Sequence, residues 1–431
     1  MEQIRTGTYK GWKVETVKNR WLTLHVAPQL GGRIMQVGMD GYEFLFNHPM
    51  LVGKEPDCTR LGENGAWLNF GGEKIWPAPQ GWNSPEQWPG PPDPVLDSGI
   101  HSLVENTRSD DGETLTLLSP FDPYTGLQIK RNIRLYSAMS GVAITVSFRN
   151  MGEIVKRWSV WPVCQISIPS DESNGQHRIV CPVNPGSRYF NGYKVMHGLV
   201  NNPQFNSDIY GNLAVDYQYL VGKVGLDSNQ GWIAYINKKN GKVFVLRFFY
   251  DEGQAYPDDT SVQVWTQGKG LIYSRNKIIE YKDDPSQNPP YMEMELLSPI
   301  HEIEPGSVYE YDYQIYTCTI PGCLAIQTIC RYGVISASLR VEEREEMIWV
   351  HAKYGFFTEG ILKIQMKDSL EESLFCKEIM VSPLNGIDLD SVVKPSDGWN
   401  GREICCTAEF LDKEGHCLWE IDQVKYKLHE Q

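Results

Sequence analysis

Nowhere in its 431 residues does the chain run for the ~18 uninterrupted apolar positions that a membrane-spanning helix requires, so no membrane partner is expected. The opening stretch MEQIRTGTYKGWKVETV lacks the apolar core of a secretory signal, and the expectation is a cytoplasmic protein. Positive charge is scarce. Lys and Arg number 40 against 54 Asp and Glu, a formal charge of −14, which excludes a nucleic-acid binder relying on a global positive field. The ten cysteines form no C-x-x-C pair, which argues against a zinc or thioredoxin-like motif and leaves reduced thiols in core positions as the expectation. No G-x-S-x-G elbow, Walker loop or H-E-x-x-H string occurs.

Sustained helical periodicity is missing as well. What replaces it is strand-like alternation almost from end to end. In WLTLHVAP, Leu22, Leu24 and Val26 alternate with Thr23 and His25. RIMQVGM and YEFLFN flank Asp40-Gly41, a dipeptide that supplies the positive φ of a tight hairpin turn. GLQIKRNIRLYS with GVAITVSFRN, and the two halves of GWIAYINKKNGKVFVLRFFY, read as further hairpins. The only helix expected is a short one around DSLEESLF. The fold class is therefore all-β. Apolar residues at 41% are enough for a sizeable core, and at ~150 residues per domain the length allows two or three domains. Two are expected, over 1–320 and 330–431, because after Pro321-Gly322 and Tyr332-Gly333 a new series of short strands begins at the spacing of a β-sandwich, immunoglobulin-like in its rhythm.

Residues 77–94, PAPQGWNSPEQWPGPPDP, deny the backbone both helix and sheet ladders. Trp82 and Trp88 fall in this stretch and Trp76 precedes it. Three large aromatics in a proline-rich run are expected to order a loop against the main sheet, where it walls a pocket.

Three segments, HVAPQLGGRIMQVGMDGYEFLF, NFGGEKIWPAPQGW and YMEMELLSPIHEIEPGSVYEYDYQIY, taken together resemble the galactose mutarotase-like (aldose 1-epimerase-like) superfamily, and within it the uncharacterised DUF4380 family. The resemblance runs in order over about residues 5–320. It implies a large antiparallel β-supersandwich with a carbohydrate-binding sheet, no metal or organic cofactor, and a small carbohydrate or sugar phosphate as partner. Mutarotation needs a base for the O1 hydroxyl proton and an acid for the ring oxygen, each titrating near neutrality. In YMEMELLSP, Glu293 and Glu295 alternate with Met292 and Met294, so both carboxylates share one sheet face. Either matches the superfamily's catalytic Glu. The strand RWSVWPVCQISIP stands where the resemblance places a catalytic His and contains none; it offers Trp161 for stacking and Gln165 for hydrogen bonding. His101 is the nearest substitute. Arg33, after Gly31-Gly32, and Lys74, after Gly71-Gly72, are the candidate cationic contacts. Asn69, Trp76 and Gln80 lie beside Lys74, and Arg131, Tyr256 and Trp265 complete the candidate set. Without the His, a non-catalytic carbohydrate-binding protein is the alternative. A glycoside hydrolase or lyase is a third reading, since carboxylates two apart on a strand are separated by roughly 7 Å, within the span such hydrolases use.

Overall fold

A computed structural model of the chain describes residues 5–56, 67–170, 175–274, 276–322, 325–370, 372–395, 399 and 401–429. Over these residues the alternation seen in the sequence becomes strand after strand. Leu22, Leu24 and Val26 are buried while Thr23 and His25 are half-buried. Asp40 and Gly41 both take positive φ, 52° and 75°, and close the hairpin between Arg33–Met39 and Tyr42–Glu43.

Among the described residues there is no α-helix, only two short 3₁₀ turns, and no helix long and apolar enough to cross a membrane. The expected helix around DSLEESLF is therefore corrected. Strand Gly360–Asp368 ends there and its antiparallel partner Ser373–Val381 begins. Asp368 is the physical reason: its carboxylate oxygen Oδ1 accepts from the backbone N–H groups of Leu370 and Glu372, at 2.9 Å each, and this holds a tight turn in place of a helical nucleus.

The chain divides into two compact units. The first comprises 1–137, 141–235 and 244–316; the second comprises 138–140, 236–243 and 317–431. The first unit is dominated by a twelve-stranded antiparallel sheet and a ten-stranded one. In the larger sheet, Arg33–Met39, Glu73–Ala78, Lys156–Ser167, Tyr291–Leu296, Val262–Gln267, Gly222–Leu226 and Lys194–Gly198 lie side by side, the last of them at the edge. The smaller sheet runs through Val308–Thr319, Gly141–Asn150 and Leu127–Tyr136.

Glu73 tells which face of the larger sheet the smaller one covers. Its carboxylate pairs with Arg131 at 2.5 Å and accepts from the hydroxyl of Tyr313, and both partners stand on the smaller sheet. Cys164 is opposite Glu73 and Met294 is opposite Cys164, so the methionines of the late strand face the core between the sheets. Glu293 and Glu295 consequently face the other way. In the second unit, two four-stranded sheets, one built on Gly333–Arg344 and Met347–Phe356 and the other on Gly360–Asp368 and Glu403–Leu411, enclose a core that includes Val350, Tyr354, Ile364, Cys406 and Phe410.

Of the ten cysteines, Cys58 and Cys323 lie outside the described residues. Cys164, Cys181, Cys318 and Cys406 are buried thiols, whereas Cys376 and Cys417 are exposed.

Candidate functional site

Register alone assembles the site, because residues opposite one another in an antiparallel pair share a face. Glu293 stands opposite Gln165 on one side and Trp265 on the other; Trp265 is opposite Lys223, and Lys223 is opposite His197. One row of chemistry-bearing side chains thus crosses five strands. A neighbouring row runs Lys74, Val163, Glu295, Gln263, and Trp76 faces Trp161 in a third.

Over this face lies a cavity of about 410 Å³. Its aromatic lining comes from Trp67, Trp76, Trp161, Trp265, Tyr281 and Tyr291, and its polar lining includes Gln80, His197, Lys223, Gln267 and Glu293. Two elements outside the sheet wall it. The proline-rich loop contributes Gln80, Pro91 and Pro92, and the hairpin Gly270–Ser274/Lys277–Tyr281 contributes Ile272, Ser274, Ile279 and Tyr281. The indoles pack on one another, with ring centroids 5.9 Å apart for Trp67–Trp76 and 5.4 Å for Trp76–Trp161. Their N–H groups are used as anchors. Trp67 and Trp76 donate to the carboxylate of Asp97 at 3.1 Å each, and Trp161 donates to Glu295 at 2.9 Å. Asp97 is itself held by Arg33 at 2.5 Å.

Four buried carboxylates surround this face, and they are balanced unequally. Asp97 has Arg33 and two indoles; Glu73, on the core side, has Arg131 and Tyr313. Glu295 has Lys223 at 2.9 Å and Trp161. Glu293 has the neutral side-chain amide of Gln165, at 2.7 Å. Burial, with the neighbouring Glu295 adding to it, pushes the Glu293 carboxyl up to about 7. The opposite happens to Lys74. Its ammonium is buried over the faces of Trp76 and Trp67, at 4.7 and 5.7 Å from the ring centroids, and has no hydrogen-bond partner. Desolvation lowers its pKa to about 8, against the pull of Glu293 in the other direction. Gln165 Oε1 and Glu295 Oε1 are likewise buried without a partner, so three unsatisfied polar groups surround the small side chain of Val163. A face with this arrangement can stack an apolar ring surface, satisfy hydroxyl groups, and exchange protons near neutral pH.

The family profile described as "Domain of unknown function (DUF4380)" matches residues 13–315. The chain belongs to this family. No curated protein sequence matches it. Similar solved structures include a TPR-domain containing protein from Parabacteroides distasonis, at 13% identity and TM-score 0.48 over 71% of this chain. The chain spans 47% of that protein's length. Galactose mutarotase-like proteins from Clostridium acetobutylicum (11% identity, TM-score 0.45, covering 74% of this chain and 98% of that one) and from Lactobacillus casei (12%, 0.43, covering 70% and 99%) are also similar.

Of the residues the sequence put forward in this DUF4380 chain, Glu293, Trp76, Gln80, Trp161 and Trp265 line the cavity. Glu295, Gln165 and Lys74 lie on the same face beneath that lining. Arg33, Arg131 and His101 do not line it. Arg33 is committed to Asp97 and to the carbonyl of Gly71 at 3.0 Å. Arg131 is committed to Glu73 and to the carbonyl of Gly32 at 2.6 Å, between the sheets. His101 is buried against Gly32, where an added Cβ would meet its Nδ1 at 2.5 Å, and burial beside the two arginines lowers its pKa to about 3. Asn69 is buried off the cavity lining, and the Tyr256 ring stacks on Tyr250, at 5.2 Å. Lys223, His197 and Tyr281 also line the cavity, outside the candidates that the sequence offers. Lys223 carried a signal, a single charge inside the apolar strand Gly222–Leu226; the half-buried His197 did not.

Proposed function

We propose that the DUF4380 unit binds a small neutral carbohydrate in this cavity and interconverts its anomers, with Glu293 as base and Lys74 as acid. Glu293 carries the proposal: a carboxylate on the wall of an aromatic-lined cavity, hydrogen-bonded to an amide where each of its three neighbours is hydrogen-bonded to a cation. In the forward step Glu293 takes the proton of the C1 hydroxyl as the C1–O5 bond breaks and a C1 carbonyl forms. O5 takes its proton from the Lys74 ammonium, which the Trp76 ring now covers and must uncover for the transfer. Rotation about C1–C2 and closure on the other carbonyl face, with both protons returned, gives the second anomer. The indoles supply stacking, and Gln80 and Gln267 supply hydrogen bonds.

A neutral sugar is favoured over a sugar phosphate because Arg33 and Arg131 are each committed to a carboxylate and Lys223 is paired with Glu295. The same pairing weighs against a two-carboxylate hydrolase, since Glu295 is not available as the second acid. A non-catalytic binder is the second reading, and the burial of Lys74 beneath Trp76 favours it.

Proton exchange spectroscopy on the anomeric signals of a panel of aldoses separates these readings. Protein-dependent exchange is expected to fall by about 100-fold or more in Glu293→Gln and in Lys74→Met. Saturation transfer to the sugar with no faster exchange in the unsubstituted protein would leave binding alone.

A further inference from the structure

Asp97 does not line the cavity, yet two of the indoles that do are hydrogen-bonded to it. The chain leaves the proline-rich run through a turn built by Asp93, whose Oδ1 accepts from the backbone N–H groups of Val95 and Leu96 at 2.8 and 2.7 Å. The residues that follow dock on Gly31. Its N–H donates to the carbonyl of Gly99 at 2.8 Å, and a Cβ there would lie 2.2 Å from the backbone oxygen of Asp97. Asp97 is thereby buried, and its carboxylate is shared among three donors. Oδ1 takes Arg33 and Trp76, and Oδ2 takes Trp67. These are the two indoles over whose faces the Lys74 ammonium lies.

We infer that Asp97 is a positioning residue for Lys74, holding the Trp67 and Trp76 rings around its ammonium and offsetting the charge of Arg33. The consequence for exchange rests on reading Lys74 as the acid. Asp97 and Arg33 act on Lys74 in opposite directions, the carboxylate favouring the charged amine and the guanidinium disfavouring it. The other titratable groups that bear on it are Glu293, from the late strand, and the Cys164 thiol, from the strand between. Glu295 stands across Val163 in the same row as Lys74. With Asp97 neutral, Arg33 acts uncompensated, and Lys74 gives up its proton at lower pH.

NMR titration of the full chain, with lysine carbon-13-labelled at Cε, tests this; the Lys74 signal is the one missing from Lys74→Met. In Asp97→Asn the Lys74 midpoint is expected about one pH unit lower, and the alkaline limb of anomer exchange moves with it. A merely structural Asp97 would lower the folded fraction and leave the midpoint in place. The double variant Arg33→Met/Asp97→Asn removes both charges and strands neither, so it serves where the single variant does not fold. Its midpoint is expected at or above that of the unsubstituted protein. A midpoint that stays in place in Asp97→Asn, or that falls in the double variant, overturns the role of Asp97. A midpoint that moves while the limb of the exchange profile does not supports that role and overturns Lys74 as the acid.

Discussion

Glu293 differs from the other buried carboxylates around it in what balances its charge. A guanidinium or ammonium within hydrogen-bonding distance keeps Asp97, Glu73 and Glu295 paired, whereas Glu293 has an amide. That difference sets the expected pH dependence. Glu293 must be ionised to act as base, so exchange falls as pH drops below about 7; Lys74 must be protonated to act as acid, so exchange falls as pH rises above about 8. A narrow bell with its maximum between these values is expected, its limbs belonging to the pair rather than to either residue alone. A rate that keeps rising to pH 10 would remove Lys74 from the mechanism. The arginines behave differently because their work is internal. Glu73→Gln strands the Arg131 guanidinium between the sheets and is expected to cost about 3–5 kcal/mol in denaturant unfolding. A cost under about 1 kcal/mol would mean that water reaches Arg131.

Among the elements, the segment that matters most is the Gly71-Gly72 turn feeding strand Glu73–Ala78. Both residues have positive φ, 94° and 75°, and a Cβ on Gly71 would lie 2.0 Å from the backbone oxygen of Phe46. Gly71→Ala therefore displaces the strand carrying Glu73, Lys74 and Trp76, and is expected to destabilise by about 1–3 kcal/mol or more while weakening sugar binding. Strand identities, and the shared face of Glu293 and Glu295, were legible because period-2 alternation is a local property. Partners were not. Arg33 and Arg131 read as ligand-binding cations because nothing local shows that Asp97 lies 64 residues after one and Glu73 lies 58 residues before the other. The row from Gln165 to His197 exists only through registers of four strand pairs, so His197 and Lys223 could not be placed beside Glu293. The proline-rich loop was legible, because tryptophans held in a run of prolines have to be buried or to line something.

For the molecule as a whole, the described residues lining the cavity all belong to the first unit. The second unit has its own core, in which Ile364 is fully buried. Ile364→Ala is expected to cost about 2–5 kcal/mol in that unit, seen as an earlier thermal transition, and to leave the sugar response of the first unit in place. We propose the aromatic face around Glu293 as a carbohydrate site. Saturation-transfer difference NMR with the saccharide panel, on the unsubstituted protein and on Trp265→Ala, tests it most directly. Transfer to ring protons of at least one sugar, lost in Trp265→Ala while the fold is kept, is the predicted result. Silence across the panel, or transfer that survives the loss of Trp265 unchanged, would contradict it.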